Sequence, residues 1–171
     1  MENAYKEIEK KPFEGFNEEE AKLFVGKNSD YYLDKWKSSK APDKKSGWNW
    51  ASCLCGTFWL GYRKMYSIIL YFLCAFIVID VTQLFIKFNF NRGFSLASSI
   101  ALGILGNTFY FNYMKKKIAK IKMNNQYSEN LNQEIIKAGN GSWGGVGIAF
   151  LMMTGYAFLS YGIEVIITSI I

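Results

Sequence analysis

Two carboxylates stand inside long apolar runs. Asp80 is the only charge in residues 66–86, and Glu164 is the only charge in residues 146–171. An ionisable side chain in such a run is costly to place in hydrocarbon, so it marks either a cation or proton site or a structural contact. The structural options are an ion pair with Lys87 or Arg92, or a reach toward the headgroups, which suits Glu164 near the end of its run. Asn107, with Thr108 and Tyr110, adds a polar patch to a third apolar run. A buried amide there is expected to find hydrogen-bond partners across helices.

Other chemistry is sparse. The chain of 171 residues has no histidine, which removes imidazole general-base catalysis, histidine metal ligands and histidine pH sensing together. Cys53, Cys55 and Cys74 sit in apolar surroundings and read as small buried hydrophobes. A Cys-x-Cys pair with no histidine and only the distant Cys74 besides is a weak metal signal. Residues 139–145, Gly-Asn-Gly-Ser-Trp-Gly-Gly, lack the Gly-Lys-Ser/Thr ending of a phosphate loop and read as a close-packed turn or hinge. No nucleophile–base pair, carboxylate dyad or metal set emerges. The expectation is a protein that is not an enzyme and uses no cofactor.

The elements that must position these residues follow from how charge is segregated. Residues 1–47 carry ten Lys and ten Asp or Glu, whereas the remainder carries ten Lys or Arg against four acids. The whole net charge of +6 therefore lies in the apolar part. These cations flank apolar runs, as membrane topology requires, and do not form the clustered face of a nucleic-acid binder. Residues 66–86, 94–114 and 146–171 are each long enough to cross about 30 Å of hydrocarbon as a helix. Residues 48–62 reach only about 22 Å as a helix. Gly56 and Gly61 interrupt them, and Trp48, Trp50, Trp59 and Tyr62 favour the headgroup level. They are expected to form an interfacial or re-entrant element, with a full span as the alternative. The fold class is thus an all-α membrane protein: three transmembrane helices, a short aromatic-rich interfacial or re-entrant helix, and an N-terminal cytoplasmic helical hairpin.

Arg63 and Lys64 precede the first span, and Lys115, Lys116, Lys117, Lys120 and Lys122 follow the second. The positive-inside rule places the arm and the 115–145 basic loop in the cytoplasm and the C-terminus outside, in a multi-pass cell-membrane protein. No secretory signal opens the chain, which agrees with a cytoplasmic N-terminus. Arg63, Lys64, Lys115, Lys116 and Lys117 face the same leaflet and are candidates for anionic lipid headgroups, although topology alone also demands them. Ser95, Ser99 and Gly103 recur every fourth residue, and Gly106 continues the stripe. Such a face permits close helix packing, within the chain or in a homo-oligomer.

The arm, residues 1–47, carries its own signals. Asn17 ahead of Glu18, Glu19 and Glu20 reads as an N-cap with an acidic first turn, Glu20 completing a capping-box spacing. Gly26 fits a C-terminal stop. Asn28 or Ser29 starts a second helix to about Ser38. Leu23, Phe24, Tyr32, Leu33 and Trp36 give the pair an apolar side that needs the membrane or a partner to lie on. Residues 40–47 read as a flexible polar linker. Beyond the second span the helix continues to about Met123. Ser128 is a candidate cap for a short helix to Ala138.

Some of these residues have a family look. Phe24-Val25-Gly26-Lys27-Asn28, Tyr31-Tyr32, Trp36, Trp48-Asn49-Trp50-Ala51, Trp59-Leu60 and Tyr62-Arg63-Lys64-Met65-Tyr66 resemble the bacterial family of domains of unknown function numbered 2628. The same holds for Gly103, Asn107 and Tyr110 ahead of Lys115–Lys117. Members often carry a histidine shortly before the basic run, where Asn112 stands here. The resemblance spans roughly residues 20–125, implies a bacterial membrane protein and lends no activity. The functional expectation is an accessory, regulatory or immunity-type membrane protein acting through its arm and basic loop on a membrane-protein partner or the lipid surface. The alternative is a small oligomeric channel or an ion- or proton-coupled transporter using Asp80.

Overall fold

A computed structural model describes residues 18–86, 91–124 and 130–170. Among them the chain forms helices and no strand: α1 (Glu18–Val25), α2 (Ser29–Lys37), α3 (Trp50–Tyr62), α4 (Tyr66–Ile86), α5 (Asn91–Asn124), α6 (Leu131–Gly139) and α7 (Trp143–Ile170). The caps expected at Asn17 and Ser128, and the cation Lys87, lie outside the described residues. Three helices, α4, α5 and α7, are long and apolar enough to cross a membrane. The chain divides into two compact units, one of the residues up to Asn49 with Ile104–Gly141, the other of Trp50–Gly103 with Ser142–Ile171.

In the first unit, α1 stops where glycine permits a left-handed turn. Gly26 has φ 64°, and its N–H donates to the Lys22 carbonyl at 2.9 Å. Ala21, Phe24, Val25, Tyr32, Leu33 and Trp36 are all buried. The surface they lie on is neither lipid nor partner, the two options open in the sequence, but the chain's own α5 and α6. Tyr32 stacks edge-on to Tyr110 at 4.9 Å, and Trp36 to Phe111 at 5.3 Å. Offset aromatic pairs of this kind add about 0.5–1.5 kcal/mol each beyond their buried area. Gly139 lets α6 meet the Phe24 backbone, since a Cβ there would strike the Phe24 carbonyl. The Glu20 carboxylate accepts from Lys122 of α5 at 2.8 Å.

In the second unit, α3 is broken as expected at Gly56 (φ 46°, ψ −116°) and not at Gly61. Gly61 is instead a contact point. Its backbone lies against Gly145 of α7, and a Cβ on Gly61 would come within 2.6 Å of both the Gly145 carbonyl and the Ala149 side chain. Ser142 secures the same join. Its N–H donates to the Tyr62 carbonyl at 2.9 Å, and its hydroxyl oxygen accepts from the Gly145 N–H at 3.1 Å. The glycine-rich 139–145 segment is thus a close-packed turn. On α4, Phe76 packs edge-on to Phe94 at 4.8 Å. The cysteines depart from expectation: Cys55 and Cys74 are exposed, Cys53 is half-buried, and all three are free. Their runs are apolar on every side of the helix, so apolar surroundings in sequence did not translate into burial by protein.

Two measurements follow from these contacts. Gly145→Ala puts a methyl group into the Gly61 carbonyl and is expected to lower stability by about 1–3 kcal/mol. Gly147→Ala, with open space around it, is expected to leave thermal melting in detergent unchanged or slightly raised. The second concerns Glu18, which bridges Lys37 at 2.7 Å and Lys22 at 3.2 Å. Lys37, then Lys22, hold its exposed carboxyl below the usual carboxylate value. A lowered folded-state value means the stabilisation is present above about pH 4.3 and is lost as pH falls through the folded value. Acid titration of melting should therefore show a small loss below pH 4–5 that Glu18→Gln removes.

Candidate functional site

Asn107 is the most connected of the sequence-predicted polar residues. It is fully buried on α5. Its Nδ2 lies 3.3 Å from each of the Ser46, Gly47 and Trp48 carbonyls, to which it donates. Its Oδ1 accepts from the Asn49 amide at 2.8 Å. Its backbone carbonyl accepts from the Trp36 indole N–H at 3.1 Å. The neighbouring Thr108 hydroxyl donates to Ser46 Oγ at 3.2 Å, and the Ser46 hydroxyl in turn donates to the Pro42 carbonyl. One turn further on, Asn112 Nδ2 donates to the Asp43 carbonyl at 2.9 Å.

Only an amide meets this set of demands. It offers two donor hydrogens to a bend of carbonyls and an acceptor to Asn49. The bend itself needs Gly47, whose φ of 75° is left-handed. The polar patch finds its partners in the 46–49 loop and, across helices, in the Trp36 indole of α2. One expectation is corrected here. Residues 40–47 are not a flexible linker, because Pro42 and Ser46 are buried and the Asp43, Ser46 and Gly47 carbonyls are bonded to side chains of α5. The same contacts cover part of α5 with protein. Asn107, Thr108, Tyr110, Phe111, Met114 and Ile118 are buried. Within the apolar window of α5, 39% of residues are buried, against 11% for α4 and 6% for α7.

Asp80 belongs to the other unit. Its Oδ2 accepts from the Tyr156 and Ser160 hydroxyls of α7, each at 2.7 Å. Its partners are therefore hydroxyls, and among the described residues it makes no ion pair with Arg92. Tyr156 and Ser160, four apart on one face of α7, were not singled out in the sequence; their spacing was the available signal. Glu164 is exposed, consistent with a side chain that points away from the helices.

The cationic candidates divide. Lys115, Lys116 and Lys117 are exposed, with Lys117 lying 5.5 Å from the Tyr113 ring. Arg63 is not available to headgroups as expected. It is 2% exposed, and its guanidinium lies 5.5 Å from the Tyr62 ring. A weakly hydrated planar cation tolerates such stacking and burial better than an ammonium does. Lys64 is half-buried with φ 60°, and burial pushes its ammonium below the usual lysine value. Of the small-residue stripe, Gly103 and Gly106 are buried and Ser99 is half-buried. Beside them the Ser52 hydroxyl of α3 donates to the Leu102 carbonyl at 2.7 Å. That side of the stripe is used within the chain.

Asn107→Ala would strand the Asn49 amide and three carbonyls. It is expected to destabilise the arm by about 2–4 kcal/mol. Limited proteolysis should then cut within residues 38–48, where the wild-type chain resists. Asn107→Asp removes the donors and sets a charge against carbonyls, so it should be at least as damaging; restored resistance in this variant would contradict the assignment.

No curated protein and no solved structure matches the chain. A family model described as a protein of unknown function, DUF2628, matches residues 15–116. The match takes in both sides of the clamp, from Trp36 and the 46–49 bend to Asn107 and Asn112, and stops short of α6, Tyr156 and Ser160. With well over half its length inside that match, the chain belongs to the DUF2628 family.

Proposed function

We propose that this chain is a non-catalytic integral membrane protein that holds a folded platform at the cytoplasmic surface for a membrane-protein partner. In this reading α4, the first part of α5 and α7 cross the bilayer, α3 is re-entrant or interfacial, and the C-terminus is outside. The observation that carries the proposal is the clamp. The arm is bound to α5, the helix that emerges from the bilayer, through Asn107 and a cluster of aromatic rings. It is a fixed surface and not a tether. Several features support the membrane arrangement. Large apolar residues such as Leu70, Tyr71 and Val78 on α4, and Phe150, Phe158 and Ile166 on α7, are exposed. Apolar patches of this extent need lipid or protein cover. The break at Gly56 supports a re-entrant α3, since a non-helical backbone is tolerated at membrane depth only against protein or water. The platform offers acids (Glu19, Asp30 and Asp34) and lysines (Lys115, Lys116 and Lys120), all exposed. An accessory, regulatory or immunity-type role fits a surface of that kind. Asp80 with its two hydroxyls serves as a clasp between α4 and α7.

Photo-crosslinking groups at positions 30 and 116, in native membranes, are expected to trap one stoichiometric protein. Adducts to lipid alone, or none, would defeat the platform reading. With the native cysteines replaced, a single cysteine at position 30 should label only after the membrane is permeabilised; labelling in intact cells would reverse the topology. Cation flux into proteoliposomes that disappears in Asp80→Asn would replace this reading with the oligomeric channel.

A further inference from the structure

We infer that the cleft between the end of α2 and the 46–49 bend is a binding site for a phosphate group. The cleft has a volume of about 420 Å³ and is lined by Lys35, Ser38, Ser39, Lys40, Ala41, Lys45, Ser46 and Gly47. Three of these side chains are ammonium groups, and no carboxylate is among them. None of the three forms an ion pair with a described residue. Lys35 has only the Tyr31 ring, at 5.9 Å. The acids nearest in sequence are otherwise placed: Asp34 and Asp43 are exposed and do not line the cleft.

Helix-dipole compensation does not account for this arrangement. A helix C-terminus carries roughly half a negative charge. That rationalises Lys35, which lies in the last turn of α2. It does not rationalise Lys40 or Lys45, which follow the helix. Three like charges around one cleft, two of them on exposed side chains, give it a positive potential that favours an anion.

The frame is fixed, so little ordering is needed on binding. The Ser38 hydroxyl donates to the Lys35 carbonyl at 3.0 Å, the Ser39 hydroxyl to the Lys45 carbonyl, and the Ser46 hydroxyl to the Pro42 carbonyl. The Lys44 and Lys45 N–H groups close a turn onto the Ala41 carbonyl at 2.9 and 2.8 Å. Because the serine protons are engaged by carbonyls, the lysines are the recognition groups. Lysine ammoniums bind phosphate as point charges and do not impose bidentate geometry. Gly47 supplies the left-handed φ of 75° that shapes this wall of the cleft. The phosphate group could belong to a lipid headgroup or to a soluble phosphate ester. The inference stands on the cleft alone and does not depend on how the helices cross a membrane.

The test titrates the detergent-purified full chain with dihexanoyl phosphatidic acid and, separately, with inorganic phosphate, by isothermal calorimetry. Saturable binding is expected at one site. Lys35→Gln/Lys40→Gln/Lys45→Gln should weaken it about tenfold or more. A control of equal charge loss, Lys27→Gln/Arg92→Gln/Lys137→Gln, should change it by less than about threefold, with both variants eluting and melting like the wild type. Displacement of the lipid by inorganic phosphate at comparable concentration identifies a soluble phosphate group as sufficient. No displacement at about a hundredfold excess, with lipid binding intact, identifies the headgroup as the source. Absence of saturable binding to either probe, or equal losses in the two variants, overturns the proposal.

Discussion

The arm's structure depends on one buried amide. A loop that runs alongside a helix presents backbone carbonyls that must be paired once water is removed, and each one left unpaired costs about 1–3 kcal/mol. Asn107 serves three of them and also fixes Asn49. Its own carbonyl, already an acceptor within the helix, offers a second lone pair to the Trp36 indole. Position on a helix matters as much as chemistry. A side chain on α5 has its backbone already committed, so the energy of the contacts goes into placing the loop. Around this polar centre the aromatic rings of α2 and α5 supply the apolar burial that excludes water and strengthens each bond.

How far the sequence disclosed this depended on the distance over which a contact acts. The first span coincides with α4, Tyr66–Ile86, because uncharged length is a local property. The stop at Gly26, the second arm helix and the continuation of α5 past the basic run are local as well, and each was legible. The rigidity of residues 40–47 was not. Lys, Ser, Pro and Gly in a row describe a linker unless a partner exists, and that partner lies some sixty residues away. The same limit applied to Gly61 and Gly145, whose contact joins positions far apart in the chain.

Hydropathy does not report what covers a side chain. The run 94–114 lies in α5, which is long and apolar enough to cross a membrane, and its Tyr110, Phe111 and Met114 are buried by protein. An aromatic side chain covered by tryptophan and one covered by acyl chains give the same hydropathy. What separates them is the amide and the hydroxyl of Asn107 and Thr108 at the head of that stretch. Arg63 presents the converse case. Its sequence context says surface charge, while its neighbour Tyr62 provides a ring that makes burial tolerable.

The separation between Trp36 and its carbonyl acceptor, 71 residues, also has a temporal meaning. A ribosome adding about 5–20 residues per second makes the arm roughly 4–14 s before the residues that receive it. During that interval Phe24, Tyr32 and Trp36 lack the α5 surface that covers them, while the apolar helix α4 is already made. The nascent arm must therefore be shielded, or must stay open, until α5 emerges. Completion of the second apolar helix is what allows the first-made segment to fold.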